Sequence, residues 1–397
     1  MKTLAAVLYE MGRPAPYRES RPLSVEEVEL EGPGPGEALV EVAAAGLCHS
    51  DLSVIDGSRP RPMPMVLGHE AAGIVREVGP GVHELRPGDH VVFSFVPMCG
   101  RCFYCAIGRP VLCENGNRAN AAGTLLSGAR RFRNAAGEPL HHHLGVSAFS
   151  RFTVAAQESL IRIDPEIPLE KAALFGCAVM TGVGAVVNTA RVEPGMSVAV
   201  FGLGGVGLSV VMGAHLAGAH PIIAVDIRPE KLELARKAGA THGVNAQETD
   251  PVTAIRDLTG GGVHYAFESV GNERVLAQAY QATRRGGTTV TIGLPHPERL
   301  FSVPAVSIVG EERIIKGLLY GLRRPPPGSP PFPHALSGRD AARGPAAEPH
   351  PSPGGDQRGL RCPGPRRGGA SDRPHGGSIS RPPPLSRDRD PRSRTLR

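Results

Sequence analysis

The sequence lacks any long hydrophobic run. Its first apolar stretch, KTLAAVLYE, is broken by Glu10 and is too short for the hydrophobic region of a signal peptide. No other stretch approaches the roughly 20 apolar residues that a membrane-spanning helix needs. We therefore expect no membrane partner, a cytoplasmic location, and a first strand formed by the N-terminal run.

Lysine is absent from the last part of the chain. Residues 323–397 contain 15 Arg, 17 Pro and six acidic residues, which gives this segment a net charge of +9 and leaves −3 on the rest. A basic segment could bind nucleic acid, but this one has no interleaved aromatic residues and no amphipathic period. We expect residues 317–397 to be unstructured, without a nucleic-acid partner.

Seven cysteines are present, and without an export signal they favour metal thiolates over disulfides. Four of them follow the pattern C-x2-C-x2-C-x7-C, which packing alone does not explain. This spacing predicts a closed, structural zinc site of four thiolates. Its ligands are Cys99, Cys102, Cys105 and Cys113.

A second metal site is predicted from three separate phrases, GLCHSD, GHE and GCAVMTG. They supply Cys48, His69 and Cys177, and three protein ligands leave a fourth position open, as a catalytic zinc requires. Taken singly, each residue could instead belong to the core. Asp51 is a candidate to orient the His69 ring, and Glu70 to lie behind the metal, although both could be turn acids.

A strand, a glycine turn and an apolar helix follow in SVAVFGLGGVGLSVVM. Gly202, Gly204 and Gly207 form G-x-G-x-x-G, with Gly205 and Val206 in the same turn, which is typical of a dinucleotide site. Asp226 ends the next strand, where a carboxylate accepts hydrogen bonds from ribose hydroxyls and favours NAD over NADP. Arg228 and Lys231 are weaker candidates for the same ligand, because surface charges are common there.

The pattern of elements changes at about residue 179. Residues 1–178 contain β-branched runs separated by Gly and Pro turns, whereas residues 179–316 alternate strands with helices. Such alternation predicts a doubly wound parallel sheet. The predicted fold class is therefore α/β, with a β-rich domain followed by a nucleotide-binding domain.

These motifs resemble the zinc-dependent alcohol dehydrogenases of the medium-chain dehydrogenase/reductase superfamily, over about residues 1–316. The stretch 114–162 is similar to the long form, which includes glutathione-linked formaldehyde dehydrogenases. The resemblance implies a GroES-like catalytic domain at 1–178, a Rossmann domain at 179–316, two zinc ions and NAD. It implies a proton-accepting hydroxyl at Ser50, a coenzyme pyrophosphate contact at His49, and nicotinamide contacts at Thr181 and Val206.

The resemblance also places Phe95 and Phe149 in the substrate pocket. Many members carry a relay histidine where this chain has Ser53, so the outward route of the proton is left open between Ser50 and His49. We expect the run His141–His143 to form a loop or line the pocket, because no neighbouring acid or cysteine completes a metal site.

Beyond Lys316 the resemblance stops. Codons can be chosen for three later phrases so that starting one base later gives family-like sequence: GLLYGL yields GSYMGS, PHALSGRDAARGPAA yields RTLYRAGTLPVDRLL, and RGGASDRP yields EAVRQIV. We hypothesise an extra base near the codons for Lys316 and Gly317. Stop codons in the offset frame of the gene would exclude this.

The expected function is NAD-linked oxidation of a small alcohol, with a thiol adduct as a possible substrate. The alternatives are a zinc- and NAD-binding remnant without activity, a polyol dehydrogenase, and a nucleic-acid binder. The resemblance further implies a dimer or tetramer.

Overall fold

The computed structural model describes residues 1–321. It confirms the predicted α/β class, in which a β-rich lobe is followed by a lobe with a parallel sheet. The first lobe is β-rich. Its strands are β1 (Lys2–Leu8), β2 (Leu23–Leu30), β3 (Glu37–Ala45), β4 (Met65–Val66), β5 (Ala71–Val78), β6 (His90–Phe93), β7 (Phe132–Arg133), β8 (Pro139–His142), β9 (Phe152–Ala156) and β10 (Leu160–Arg162). Its helices are α1 (Tyr17–Ser20), α2 (His49–Ile55), α3 (Phe103–Ala106), α4 (Glu114–Ala122) and α5 (Leu169–Ala172).

The strands of this lobe form a barrel and an open sheet. One is a closed barrel in the order β1-β2-β7-β8-β4, and the other is a sheet in the order β10-β6-β5-β3-β9. Val40 of β3 and Val75 of β5 lie in one core with Phe93, whereas Leu39, the neighbour of Val40, lies in another core with Val7. The inward and outward alternation of side chains in strands explains this sorting.

The second lobe contains the parallel sheet. Its helices and strands are α6 (Ala178–Gly184), β11 (Val198–Phe201), α7 (Gly205–Leu216), β12 (Ile222–Asp226), α8 (Pro229–Lys237), β13 (His242–Asn245), α9 (Pro251–Thr259), β14 (Val263–Glu268), α10 (Glu273–Ala282), β15 (Thr283–Thr291), α11 (Ala305–Gly310) and β16 (Ile314–Gly317). The strand order is β13-β12-β11-β14-β15-β16. The order reverses beside β11, so a cleft opens at the carboxyl ends of β11 and β14, where ligands of such sheets bind.

Helix ends in this lobe follow from local sequence. Asp250 begins α9 by accepting a hydrogen bond from the Thr253 amide at 2.9 Å, and Pro251 occupies the first helical position. Gly260 ends the helix with φ +63°, a conformation that costs glycine little. These caps satisfy backbone groups that a helix leaves unpaired.

The packed fold extends beyond the predicted boundary at Lys316. Tyr320 is 1% exposed, its hydroxyl donates to the Gly176 carbonyl at 3.0 Å, and its ring lies 4.6 Å from that of Phe95. Gly321 accepts a hydrogen bond from the Asn188 side chain at 2.7 Å. The expectation of an unstructured segment from 317 onward is therefore wrong for 317–321, because an aromatic side chain there fills an apolar site between the lobes. The remaining predictions for the C-terminal segment, including Cys362, lie outside the described residues.

Within residues 1–321, no single helix is long and apolar enough to cross a membrane. One bent pair of helical segments, Leu169–Gly176 with Ala178–Ala190, is long and apolar enough for a membrane span by length and composition alone.

Stability should depend on pH through His142, a fully buried residue of β8. Its Nε2 accepts a hydrogen bond from the Arg131 amide at 3.1 Å, and burial lowers the pKa of the ring to about 3. The unfolded chain binds this proton near pH 6.5 and the folded chain does not. The free energy of unfolding should therefore fall by about 1.4 kcal/mol per pH unit below pH 6.5 on account of His142.

Chemical denaturation of the wild type and of His142→Gln at several pH values between 7 and 5 measures this contribution. The glutamine oxygen can still accept the Arg131 amide proton but does not titrate. We expect a shallower pH dependence in the variant, and identical slopes would contradict the assignment. Loss of metal at low pH affects both proteins and cancels in the comparison.

Candidate active site

Three residues far apart in sequence meet between the lobes. Cys48 immediately precedes α2, His69 lies between β4 and β5, and Cys177 immediately precedes α6. Their ligand atoms all lie within 4.8 Å of one another, and the Cys48 and Cys177 Sγ atoms are 3.9 Å apart. The predicted metal-ligand trio is thus brought to one point.

The chemistry of this trio fits zinc. Two sulfurs on one tetrahedral zinc, each bonded at about 2.3 Å, are separated by about 3.8 Å, which agrees with the observed spacing. The Nε2 atom of His69 is buried and has no hydrogen-bond partner among the described residues. An orphaned imidazole nitrogen beside two thiols is the environment that a bound cation would complete.

A buried carboxylate fixes the histidine ring. Asp51 lies in the first turn of α2; its Oδ2 is 3.0 Å from His69 Nδ1, and its Oδ1 accepts the Gly68 amide proton at 3.0 Å. Burial raises the pKa of Asp51, but its contacts with His143 and His69 outweigh burial and hold that pKa well below its usual range. With Nδ1 of His69 held against Asp51, the Nε2 atom of the same ring points toward the two sulfurs.

The charges of the site favour a cation. The hydrogen bond from Cys177 lowers the pKa of Cys48 to about 3 and raises that of Cys177 far above its ordinary value. Burial lowers the pKa of His69, yet Asp51 and Cys48 together raise it to about 10. Two sulfurs and a carboxylate in a buried space thus stabilise a positive charge placed between them, and a divalent ion would supply that charge.

Glu70 lies next to His69 and is 3% exposed, with its Oε1 lacking a hydrogen-bond partner among residues 1–321. Burial and the Cys48 thiolate raise its pKa to about 7. A Cβ on Gly46 would lie 2.9 Å from the Glu70 Cδ, so the backbone of Gly46 packs directly on this side chain.

His143 is placed differently from the prediction. The run His141–His143 was expected to form a loop or line the pocket, but His141 and His142 belong to β8, and His143 Nδ1 lies 3.0 Å from Asp51 Oδ1. The acid that completes this group is 92 positions earlier in the sequence, so proximity along the chain could not identify it. Asp51 is held between two histidines, of which His69 faces the metal position.

The other residues of this region occupy α2 and its surroundings. The hydroxyl of Ser50 lies 3.8 Å from the Cys48 Sγ, and His49 is exposed. Ser53, at the position of the absent relay histidine, donates its hydroxyl to the His49 carbonyl at 2.9 Å. The Ser53 hydroxyl therefore donates its proton within helix α2.

Two phenylalanines pack on the adjacent residues Gly68 and His69. The Phe95 ring is 5.5 Å from the His69 ring in an edge-to-face arrangement. Phe149 packs against Gly68, where a Cβ would come within 2.6 Å of its ring. The Phe95 ring supplies an apolar wall next to the trio, whereas Phe149 packs against the core cluster that contains Met65 and Leu67.

The four remaining cysteines in residues 1–321 form a separate cluster around α3 and the start of α4. Their sulfurs lie within 4.8 Å of one another, and those of Cys102 and Cys113 are 3.9 Å apart. Backbone amides of Cys99 and Gly116 donate to the Cys113 sulfur, both at 3.3 Å. Amide donors stabilise thiolates, so the arrangement of Cys99, Cys102, Cys105 and Cys113 also fits a zinc ion.

The glycine turn is shaped for close backbone approach. Gly202 has φ +86°, and a Cβ on Gly207 would lie 1.8 Å from the Gly202 carbonyl oxygen. Gly204 is the N-cap of α7 and Gly205 its first residue, so the free amides of the helix point into the cleft. Val206 packs partly against the core of this lobe.

Asp226 lies at the carboxyl end of β12 and braces this turn. Its Oδ2 accepts the Leu203 amide proton at 2.8 Å, and its Oδ1 accepts that of Arg228 at 3.1 Å. The Arg228 side chain itself pairs with Glu230. Thr181 is buried in α6, one turn after Cys177, so that one helix connects the metal trio with the coenzyme cleft.

His143 should act as a positioning residue for Asp51. Replacing it by Phe removes one donor from the carboxylate, whereas His143→Asn retains an N–H in a similar place. We expect His143→Phe to weaken zinc retention at the trio by about tenfold or more, as loss of such partners commonly does, and His143→Asn to restore part of it.

Substituting cobalt for zinc reports the effect of His143→Phe on the trio without turnover, because the visible absorption bands of cobalt depend on the orientation of its ligands. The structural quartet serves as an internal control, since its cobalt bands should stay constant. Unchanged bands and unchanged zinc retention in His143→Phe would contradict the role.

Two family models match the chain. "Alcohol dehydrogenase GroES-like domain" covers residues 34–165, and "Zinc-binding dehydrogenase" covers residues 205–329. The first contains most of the ligands described above, and the second begins within the glycine turn.

The chain is also similar to characterised proteins and solved structures. It is 44% identical over 298 residues to S-(hydroxymethyl)glutathione dehydrogenase of Synechocystis, covering 74% of this chain and 78% of the relative. A solved alcohol dehydrogenase zinc-binding domain protein from Burkholderia ambifaria superimposes with a TM-score of 0.76 at 42% identity, covering 81% of this chain and 85% of that one. Benzyl alcohol dehydrogenase from Acinetobacter calcoaceticus superimposes with a TM-score of 0.76 at 32% identity, covering 86% and 90%.

The metal trio, the cysteine quartet and the glycine turn thus lie in a fold shared with these dehydrogenases. Together they show that the chain belongs to the zinc-dependent alcohol dehydrogenases, oxidoreductases that use zinc and a nicotinamide coenzyme.

Proposed function

We propose that this chain oxidises a small alcohol to the aldehyde or ketone with NAD as the preferred coenzyme. The observation that carries the proposal is the trio of Cys48, His69 and Cys177, which lies at the start of the helix that packs on the glycine turn. When bound, zinc supplies Lewis acidity to the alcohol oxygen, and the nicotinamide accepts the hydride.

The residues of the chain have separate tasks in this proposal. Cys48, His69 and Cys177 hold the metal, and Asp51 keeps the His69 ring in place. The hydroxyl of Ser50, next to Cys48, would accept the proton that the alcohol loses while it passes its own proton outward to solvent. His49 is exposed at the start of α2 and faces the solvent side of that route.

Apolar packing around the reacting position excludes water. Phe95 packs on His69, Phe149 packs on Gly68, and Tyr320 packs on Phe95. A dry site strengthens the electrostatic interactions on which hydride transfer depends. The names of the relatives include both an aromatic alcohol and a thiol adduct as substrates, and for this chain a thiol adduct is the second candidate.

Preference for NAD is proposed from Asp226. A carboxylate at this strand end can bind the ribose hydroxyls and repels a 2′-phosphate. The four cysteines at 99–113 are proposed to hold a structural zinc, while Glu70 lies behind the catalytic one. Arg228 and Lys231 remain candidates for contacts with the adenosine part of the coenzyme.

We also propose a homo-oligomer and a cytoplasmic location. β16 is the last strand of the parallel sheet among the described residues, and Ile314 and Ile315 on it are 46% and 38% exposed. α11 beside it exposes Val306 and Val309 by 77% and 81%. Apolar surface along an open sheet edge is typical of a subunit interface.

Replacing Cys48 by Ala should abolish alcohol oxidation, because the trio loses one thiolate and with it the open zinc site. NADH binding should persist, since the glycine turn lies on the other lobe. Zinc analysis, turnover and NADH titration measure these three quantities. Cys362→Ala, which changes a cysteine that belongs to neither predicted ligand motif, is the matched control. Retained turnover in a metal-verified Cys48→Ala preparation would refute the assignment.

Asp226→Asn should shift coenzyme preference toward NADP. The asparagine oxygen can still accept the Leu203 amide proton, so that the turn keeps its brace while the charge is lost. We expect the ratio of kcat/KM for NAD to that for NADP to fall by roughly tenfold or more, equivalent to about 1.4 kcal/mol. Glu233→Gln removes an acid of helix α8 that pairs with Arg236 and should leave the ratio unchanged. An unchanged ratio in Asp226→Asn would remove the argument for NAD.

A further inference from the structure

A buried carboxyl group with no task in the proposed reaction lies at the end of β14. Glu268 is the last residue of that strand and is 1% exposed. The carboxyl ends of β11 and β14 border the coenzyme cleft, so Glu268 lies at the edge of that cleft. Burial raises the pKa of Glu268, although hydrogen bonds from backbone amides oppose the rise. Burying such a group costs free energy, and its partners show what it contributes in return.

The side chain of Glu268 holds the loop that follows the strand. Its Oε1 accepts the Val270 amide proton at 2.8 Å and the Gly271 amide proton at 2.6 Å, and the Asn272 amide lies at 3.5 Å. Its Oε2 accepts the Thr291 hydroxyl proton at 3.3 Å. One carboxylate thus fixes the backbone of this loop and connects it to β15.

The main chain of Glu268 holds the end of the neighbouring strand. Its carbonyl accepts the amide protons of Ile292 at 2.8 Å and of Gly293 at 3.1 Å. Gly271 packs directly on that strand end, because a Cβ on Gly293 would lie 2.1 Å from the Gly271 nitrogen. The loop after β14 and the end of β15 therefore form one packed unit around Glu268.

The same loop contacts the glycine turn. The Ser269 hydroxyl donates to the Gly202 carbonyl at 2.9 Å, and the Ser269 amide donates to the Phe201 carbonyl at 3.0 Å. A Cβ on Gly202 would lie 2.5 Å from Cγ2 of Val270, so that side chain occupies the space beside the turn. A Cβ on Gly207 would lie 2.9 Å from the Ser269 Oγ. The loop thus packs on the turn with both polar and apolar groups.

The orientation of the Gly202 carbonyl matters for an anion. Gly204, the N-cap of α7, has no side chain that could bind the free amides of the helix, so these amides are left for a pyrophosphate. A carbonyl oxygen turned toward the same place would repel the phosphate oxygens. The hydrogen bond from Ser269 holds the Gly202 carbonyl in one orientation.

We propose that Glu268 is a positioning residue for the coenzyme. Its carboxylate holds the loop after β14, Ser269 of that loop holds the Gly202 carbonyl, and the glycine turn presents its amides to the coenzyme pyrophosphate. A turn that is held in place binds an anion more tightly than a mobile one, because less conformational freedom is lost on binding. The inference rests on the coenzyme site of the proposed function and adds a residue that acts on it through the glycine turn.

Fluorescence titration of the zinc-loaded full chain with NADH gives both the dissociation constant and the number of sites. We expect Glu268→Ala to raise the dissociation constant roughly tenfold or more, because the loop amides lose their common acceptor. Glu268→Gln keeps an oxygen for these amides and an NH2 group beside the Thr291 hydroxyl, so it should restore most of the affinity. Misfolded protein would instead lower the number of sites without changing the constant of those that remain.

Ser269→Ala tests the route from Glu268 to the glycine turn. It removes only the hydroxyl that binds the Gly202 carbonyl, and it should raise the dissociation constant roughly threefold or more. If Glu268 acts through this contact, the double variant should weaken binding by less than the product of the two single effects. Should Glu268→Ala fail to fold, an unchanged constant in Ser269→Ala would overturn the proposal on its own.

Asp250→Ala is the matched control. Asp250 lies in the same lobe and also accepts a backbone amide proton, that of Thr253. Among the contacts of residues 1–321, its carboxylate has none with the glycine turn. The variant should therefore lose stability and keep the dissociation constant of the wild type for NADH.

Two further outcomes would overturn the proposal: an unchanged dissociation constant in Glu268→Ala, or a loss in Glu268→Gln as large as that in Glu268→Ala, which would assign the effect to charge. A double variant whose loss equals the product of the single losses would exclude the route through Ser269. The proposed function fails separately. A wild type that binds NADH but oxidises no alcohol would refute alcohol oxidation alone, whereas a wild type that binds no NADH would refute both.

Discussion

The active site depends on one buried carboxylate. Asp51 touches His69, His143 and the amide of Gly68, and through these contacts it joins helix α2, strand β8 and the segment before β5. A charge in such a place is tolerated only because every neighbour is a donor. The same contacts determine which nitrogen of His69 faces the two sulfurs, so the electrostatics of a single side chain orient the site.

The two lobes meet through a short segment of α6. Cys177 precedes this helix, Thr181 lies one turn into it, and Gly182 and Gly184 allow close packing; a Cβ on Gly182 would lie 2.5 Å from the Val206 carbonyl oxygen. The metal position and the glycine turn are therefore held at a fixed separation by backbone contacts. Hydride transfer requires near contact between donor and acceptor, and rigid packing of this kind provides it.

Sequence patterns predicted the parts that are local. The cysteine quartet and the glycine turn each occupy fewer than sixteen residues, so their spacing alone indicates a geometry. The trio was accessible only through phrases typical of the family, because Cys48 and Cys177 are 129 positions apart. The contact of His143 with Asp51 depends on the register of β4 against β8, which no periodicity specifies. The boundary at Lys316 was placed too early, because composition describes a segment as a whole and not one aromatic residue near its start.

The position of Tyr320 limits how far the chain can be shortened. Its hydroxyl holds the carbonyl of Gly176, the residue directly before the ligand Cys177, and its ring fills space beside Phe95, Val96 and Met180. A polypeptide ending at Lys316 would leave that carbonyl without its donor and open a void next to a metal-binding thiol. Residues 317–321 thus support a metal position whose ligands all come from the first half of the protein.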